Sequence, residues 1–215
     1  MHGDFNIEKL TEPEERFKIL DTIYKSVAAD ATTHGHVTAT LQLVKENDIK
    51  PEDVAEVRIK AGSRCAEHTG DPVKRYPKNK ETADHSSYYL TAIAILDRRV
   101  GPDQYAPEKL NDPRVRELID KVSLEADPSL DRFGRAGISE IRTKQGVTYI
   151  QRVEYPKGDP RNPMTDQELE DKFRNMAEKY MTERQIKKVI DTVYNMEKLD
   201  EMSKLVRTLV FKNKK

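Results

Sequence analysis

The spacing of apolar residues changes character near residue 165, and that change limits the folds open to the chain. Before it, alternating stretches interleave with helical ones; after it, only helical spacing remains. Over Val54–Ala61, the apolar residues Val54, Val57 and Ile59 stand among charges, the pattern of a half-buried strand. Val122–Ala126 reads as another strand. Ile138–Thr143 and Val147–Glu154 read as two more, joined at Lys144-Gln145-Gly146, a hairpin signal. Thr33–Lys45 carries Val37, Leu41 and Val44 at helical spacing, with Thr32 or Thr33 as cap. Tyr88–Leu96 is the most apolar segment, and its Ala92 and Ala94 suit a helix packed closely on another element. Pro113–Lys121 reads as a shorter helix. Within residues 5–24, Phe17, Ile19, Leu20, Ile23 and Tyr24 read as one strand entering a loop.

Beyond the Pro/Gly-rich loop Tyr155–Met164, Thr165-Asp166-Gln167-Glu168 has the spacing of a capping box. Leu169, Phe173, Met176, Ala177 and Tyr180 then line one face, and helices over Glu183–Met196 and Glu201–Phe211 follow. The order predicts an α+β fold with a short mixed or antiparallel sheet, then a helical segment. The division is expected near residue 160, giving an α+β unit over 1–160 and helices over 161–215.

Composition narrows the function classes. The chain has 38 basic and 38 acidic residues, so it offers no basic excess for nucleic acid or an anionic membrane. Hydrophobic residues make up 36%, low for a self-sufficient domain, so the core is thin or part of the apolar surface belongs to a partner. No apolar run approaches the roughly 18–20 residues that span a bilayer. The N-terminus shows no leader pattern, and the lone Cys65 forms no internal disulfide. A cytoplasmic location is expected.

Three segments together carry a resemblance. The first is Tyr24-Lys25-Ser26-Val27-Ala28-Ala29-Asp30-Ala31-Thr32-Thr33-His34. The second is Glu81-Thr82-Ala83-Asp84-His85-Ser86-Ser87-Tyr88-Tyr89-Leu90-Thr91-Ala92-Ile93-Ala94. The third is Pro156-Lys157-Gly158-Asp159-Pro160-Arg161-Asn162-Pro163-Met164-Thr165 with Glu168-Leu169 and Lys172-Phe173. In order and spacing they resemble the MmgE/PrpD family, which includes 2-methylcitrate dehydratase and cis-aconitate decarboxylase. The chain departs from the family pattern at Ser26-Val27-Ala28, where a proline is usual, and at Arg98, where a glycine is usual. Family members are considerably longer, with an all-helical domain ahead of this region.

The resemblance implies a lid-like domain of a cofactor-independent lyase or epimerase. Such enzymes act on small di- and tricarboxylic acids by proton transfer next to a carboxylate. It implies catalytic roles for Lys25, His34 and Tyr89, and substrate contacts from Lys25, His85 and Ser86. The chemistry suits these residue types. A lysine neutralises a carboxylate, a histidine carries protons at neutral pH, and a phenol donates to developing negative charge. Each also has an ordinary reading: Lys25 as a solvated strand end, Tyr89 as a core tyrosine, and Asp84-His85-Ser86 as a helix cap. His34-x-His36 offers two metal ligands but no third at convincing spacing, so no metal site is expected. Lys74, Arg75, Lys78 and Lys80 read as a solvated charge cluster or a steering patch for anions. The expected partners are the small acid and either a separate helical-domain subunit or further copies of this chain. A non-catalytic carboxylate-binding subunit is the other reading.

Overall fold

The computed structural model describes residues 17–210. Four strands form one mixed sheet in the order β2-β1-β3-β4. The central strand β1 (Val54–Ala61) pairs in parallel with β2 (Val122–Ala126) and antiparallel with β3 (Gly137–Thr143); β3 and β4 (Thr148–Val153) form the hairpin. Gly146 makes the turn at φ +85°, a region glycine enters without steric cost.

Alternation decides which face of the sheet is covered. Val54, Val57, Ile59 and Ala61 point inward and are fully buried, as are Ser139 and Ile141 of β3. On the opposite face Glu56 pairs with Arg58 and Arg142, and Arg58 reaches Glu140, a charged ladder in water. Helix α1 (His34–Glu46) packs on β3 and β4 and against α4 (Ser87–Asp97). Residues Ser87 to Ile95 of α4 are all buried, which explains its apolar sequence. Truncating Leu90 or Ile93 there would cost about 2–5 kcal/mol through lost burial and the cavity left. Helix α4 ends at Arg98, which adopts the left-handed conformation at φ 54° where a glycine is usual in the family. Asp48 at 2.7 Å and the Ile49 carbonyl at 3.1 Å hold its guanidinium there.

Between β1 and β2 the chain makes α2 (Ser63–Thr69), α3 (Lys80–Ala83), α4, α5 (Pro107–Leu110) and α6 (Pro113–Asp120). The sequence reading assigns nothing to residues 62–69, where α2 forms. Alpha-helical spacing is too brief there to register, yet Cys65 and Thr69 face the core. Residues 17–24 differ from expectation. Lys18–Asp21 is a 3-10 turn and the rest is irregular, because among the described residues no strand lies beside it to pair with. Residues 5–16 of that expected strand lie outside the described residues, as does Phe211.

The C-terminal helices are α7 (Asp166–Ala177), α8 (Glu183–Tyr194) and α9 (Ser203–Thr208). Thr165 and Glu168 close the expected capping box, and Thr182 with Gln185 closes a second. Ala177, Met181, Ile186, Val189 and Ile190, with Phe173 alongside, form a small cluster separate from the main core. Met176 and Tyr180, expected on the same face as Phe173, are exposed instead, as are Val193, Met202, Val206 and Val210. No helix of the described residues is long and apolar enough to cross a membrane.

Candidate active site

The stretch from Tyr24 to His34 carries most of the candidate chemistry, and three neighbours hold it in place. The Tyr24 N–H donates to the Gly158 carbonyl at 2.9 Å, and the Asp30 N–H to the Asp84 carbonyl at 2.8 Å. Lys172 Nζ donates to the Lys25 carbonyl at 2.5 Å. The Pro156–Phe173 motif therefore has a physical role: Gly158 and Lys172 anchor the segment that bears Lys25, and Glu168 caps the helix that bears Lys172.

Lys25 is exposed and lines a cleft of about 650 Å³ between that segment, α1, the end of α4 and α7. The cleft also presents Lys45, Arg98, Arg99, Lys157 and Lys172, against the carboxylates Glu168 and Asp171. Two of these cations are already paired, Lys157 with Glu168 at 2.9 Å and Arg98 with Asp48. Lys25, Lys45 and Arg99 have no acidic partner among the described residues. Burial first, and the charge of Lys25 second, hold the Lys172 ammonium below the usual lysine range.

His34 opens α1, where expected, but its ring is only 2% exposed. The Thr33 side chain makes no cap there; Asp30 instead accepts from the Thr32 N–H at 2.9 Å, one turn earlier. Ring atom Nε2 of His34 has no partner among the described residues. Burial above all, with Lys25 and Arg135 adding to it, depresses the His34 pKa to about 4. The imidazole is neutral near pH 7, and in this burial it is a weak proton acceptor there. His36 is buried completely, its Nδ1 4.0 Å from Cys65 Sγ, with a pKa pushed down to about 3 by burial and then by His34.

Tyr89 does not share the Lys25 cleft. Its hydroxyl donates to the Gln104 carbonyl at 2.5 Å, and its ring stacks on Tyr105 with centroids 6.1 Å apart. It lines a different cavity with Tyr76, Asp112 and Arg116. Tyr105 in turn donates to the Ala28 carbonyl, so that ring links Tyr89 to the 24–34 stretch. Burial first, then Asp97 and Asp112, holds the Tyr89 phenol far above its usual range, protonated at neutral pH. Ser86 is buried and caps α4, accepting from the Tyr89 N–H at 3.2 Å. His85 Nδ1 donates to Asp84 at 2.5 Å, and its Nε2 lies 3.7 Å from Asp30 Oδ2.

The structure thus brings Lys25, His34 and His85 around one segment and leaves Tyr89 and Ser86 engaged behind it. The basic loop is mostly structural. Arg75 donates to the Ile119 and Val122 carbonyls at 2.9 and 3.1 Å and lies over the Tyr88 ring, Lys74 bonds the His68 carbonyl, and Lys80 pairs with Asp84. Sequence reasoning missed Lys45 and Arg99, which lie far from Lys25 along the chain and meet it only through packing. It also missed Asp30 and His68.

The MmgE/PrpD C-terminal domain matches residues 27–196. Mouse cis-aconitate decarboxylase is 30% identical over 97% of this chain and 44% of its own length. The human cis-aconitate decarboxylase is 29% identical over 88% of this chain and 40% of its own, and one from Aspergillus terreus is 24% identical over 86% and 40%. The chain spans less than half the length of these relatives. It belongs to the MmgE/PrpD family, of which it carries the C-terminal domain.

Proposed function

We propose that the chain supplies the α+β half of a cofactor-independent lyase acting on a small tricarboxylic acid, with cis-aconitate decarboxylation as the first reaction to assay. The observation that carries this is the Lys25 cleft, where six cationic side chains meet two carboxylates. A substrate with several carboxylates would satisfy Lys25, Lys45 and Arg99 without displacing the existing ion pairs. The activity of its cis-aconitate decarboxylase relatives suggests the substrate. In a decarboxylation the bond to one carboxyl carbon breaks, carbon dioxide leaves, and a proton takes up the electron pair left on carbon. Lys25 would neutralise the retained carboxylates. His34 would move the proton, and the Tyr89 phenol would donate to the developing charge.

His34 Nε2 is closed to solvent, and Tyr89 faces another cavity. The reading therefore holds that the site is completed by an all-helical half that repositions residues 24–34. The exposed apolar side chains on and beside α8 and α9, Val193, Met202 and Val206, would be its docking face. On this reading residues 1–160 form the lid and 161–215 the connection to the helical half.

The test is reconstitution. The chain is purified with any helical partner from its own source, and carbon dioxide release from cis-aconitate is followed. Turnover by the pair and none by the chain alone is expected. Binding of cis-aconitate by the pair without turnover would instead make this a carboxylate-binding subunit.

A further inference from the structure

Asp30, His68 and His85 form a constellation that the proposed chemistry leaves largely unused. Each offers one ligand atom, and the three atoms lie within 4.8 Å of one another. They come from three segments: the turn before α1, the last turn of α2, and the corner between α3 and α4. His85 Nδ1 is already committed, donating to Asp84 Oδ1 at 2.5 Å and toward the Glu81 carbonyl at 3.1 Å. With Nδ1 so committed, Nε2 is the ring atom left to ligate. Nε2 lies 3.7 Å from Asp30 Oδ2, while Asp30 Oδ1 is occupied by the Thr32 N–H and hydroxyl. The His68 ring meets His85 edge-on, centroids 5.6 Å apart.

Two imidazoles and one carboxylate are the ligand set of open zinc-class sites, and a carboxylate behind a ligating histidine is their usual support. Ligands about 2.1 Å from a tetrahedral ion sit about 3.4 Å from one another, so the pair at 3.7 Å needs little closure. His68 is exposed and free to turn inward. We propose that Asp30, His68 and His85 bind one divalent transition-metal ion, with Asp84 orienting His85 and at least one coordination position left open. The ion would clip the 24–34 segment to α2 and to the α3–α4 corner. The proposal stands independently of the catalytic reading.

Calorimetric titration of the purified chain with Zn2+, Co2+ and Mg2+ tests it. One Zn2+ per chain is expected, together with Co2+ binding that gives visible absorption bands of low-coordinate cobalt. Mg2+ should not bind, since it prefers oxygen ligands. Asp84→Asn should weaken Zn2+ about 10–100-fold. His68→Ala should abolish stoichiometric binding with unchanged circular dichroism, because His68 is exposed. Zn2+ should raise the melting temperature of the native chain and not that of His68→Ala. No stoichiometric Zn2+ binding would overturn the proposal. So would binding that survives His68→Ala, whether or not Cys65→Ser removes it.

Discussion

Gly158 and Tyr24 hold each other's backbones. The Tyr24 N–H donates to the Gly158 carbonyl at 2.9 Å, and a β-carbon on Gly158 would lie 1.9 Å from the Tyr24 carbonyl oxygen. Gly158 also sits at φ +95°, where any other residue is strained. Gly158→Ala should therefore push the Lys25 segment off its anchor. Strain and the lost bond amount to about 1–3 kcal/mol, and for a chain of this size each kcal/mol lowers Tm by about 2–4 °C. Tryptic cleavage after Lys25, followed by mass spectrometry, should speed up at the same time. Unchanged Tm and cleavage would mean that the loop does not set the position of Lys25.

Lys25→Ala separates fold from chemistry. The side chain is exposed and lines the cationic cleft, so its loss should leave Tm within about 1 °C, as is usual for surface substitutions. In the reconstituted enzyme, turnover should fall about 100–1,000-fold, the scale of removing one electrostatic contact to developing charge. Retained turnover would remove Lys25 from the mechanism.

Tyr89→Phe addresses the residue whose place is least obvious from its surroundings. Its hydroxyl bonds the Gln104 carbonyl in a fully buried setting, so the variant should lose about 1–2 kcal/mol and a few degrees of Tm. A catalytic phenol would add a drop in kcat of tenfold or more with KM little changed. Loss of stability with kcat intact would return Tyr89 to packing.

Much of this architecture was legible because burial writes a period into the sequence. Val54–Ala61, the hairpin around Gly146, the start of α1 at His34 and the Thr165 capping box all follow from local pattern, and the structure has them. The segment at residues 17–24 was misread because five apolar residues suggest a strand whatever surrounds them, while pairing depends on a neighbour elsewhere in the chain. Helix α2 was missed because a seven-residue helix leaves too short a pattern. The site divides similarly. Lys25 and His34 are visible as residues in a motif. The company of Lys25 (Lys45, Arg99 and Lys172) arises only when α1, α4 and α7 pack together. Asp30, His68 and His85 are likewise joined by packing, with no spacing that announces them.

Two neutral histidines at the start of α1 set how the fold responds to acid. His34 has its pKa depressed to about 4 and His36 to about 3, against 6.5 for a free imidazole, in both cases chiefly through burial. Below pH 6.5 the unfolded chain takes up protons that the folded chain refuses, so stability is complete above that pH and is lost as pH falls toward 4. One such group contributes a slope approaching about 1.4 kcal/mol per pH unit, and two approach about 2.7. The carboxylates Asp30 and Asp159 have pKa values below 3.8 and act at lower pH. Urea denaturation at closely spaced pH values between 7 and 4.5 should show the midpoint falling steeply. His36→Leu should flatten the slope by about half, even if it also shifts the midpoint through packing. A slope untouched by His36→Leu would place the acid-sensitive group elsewhere in the fold.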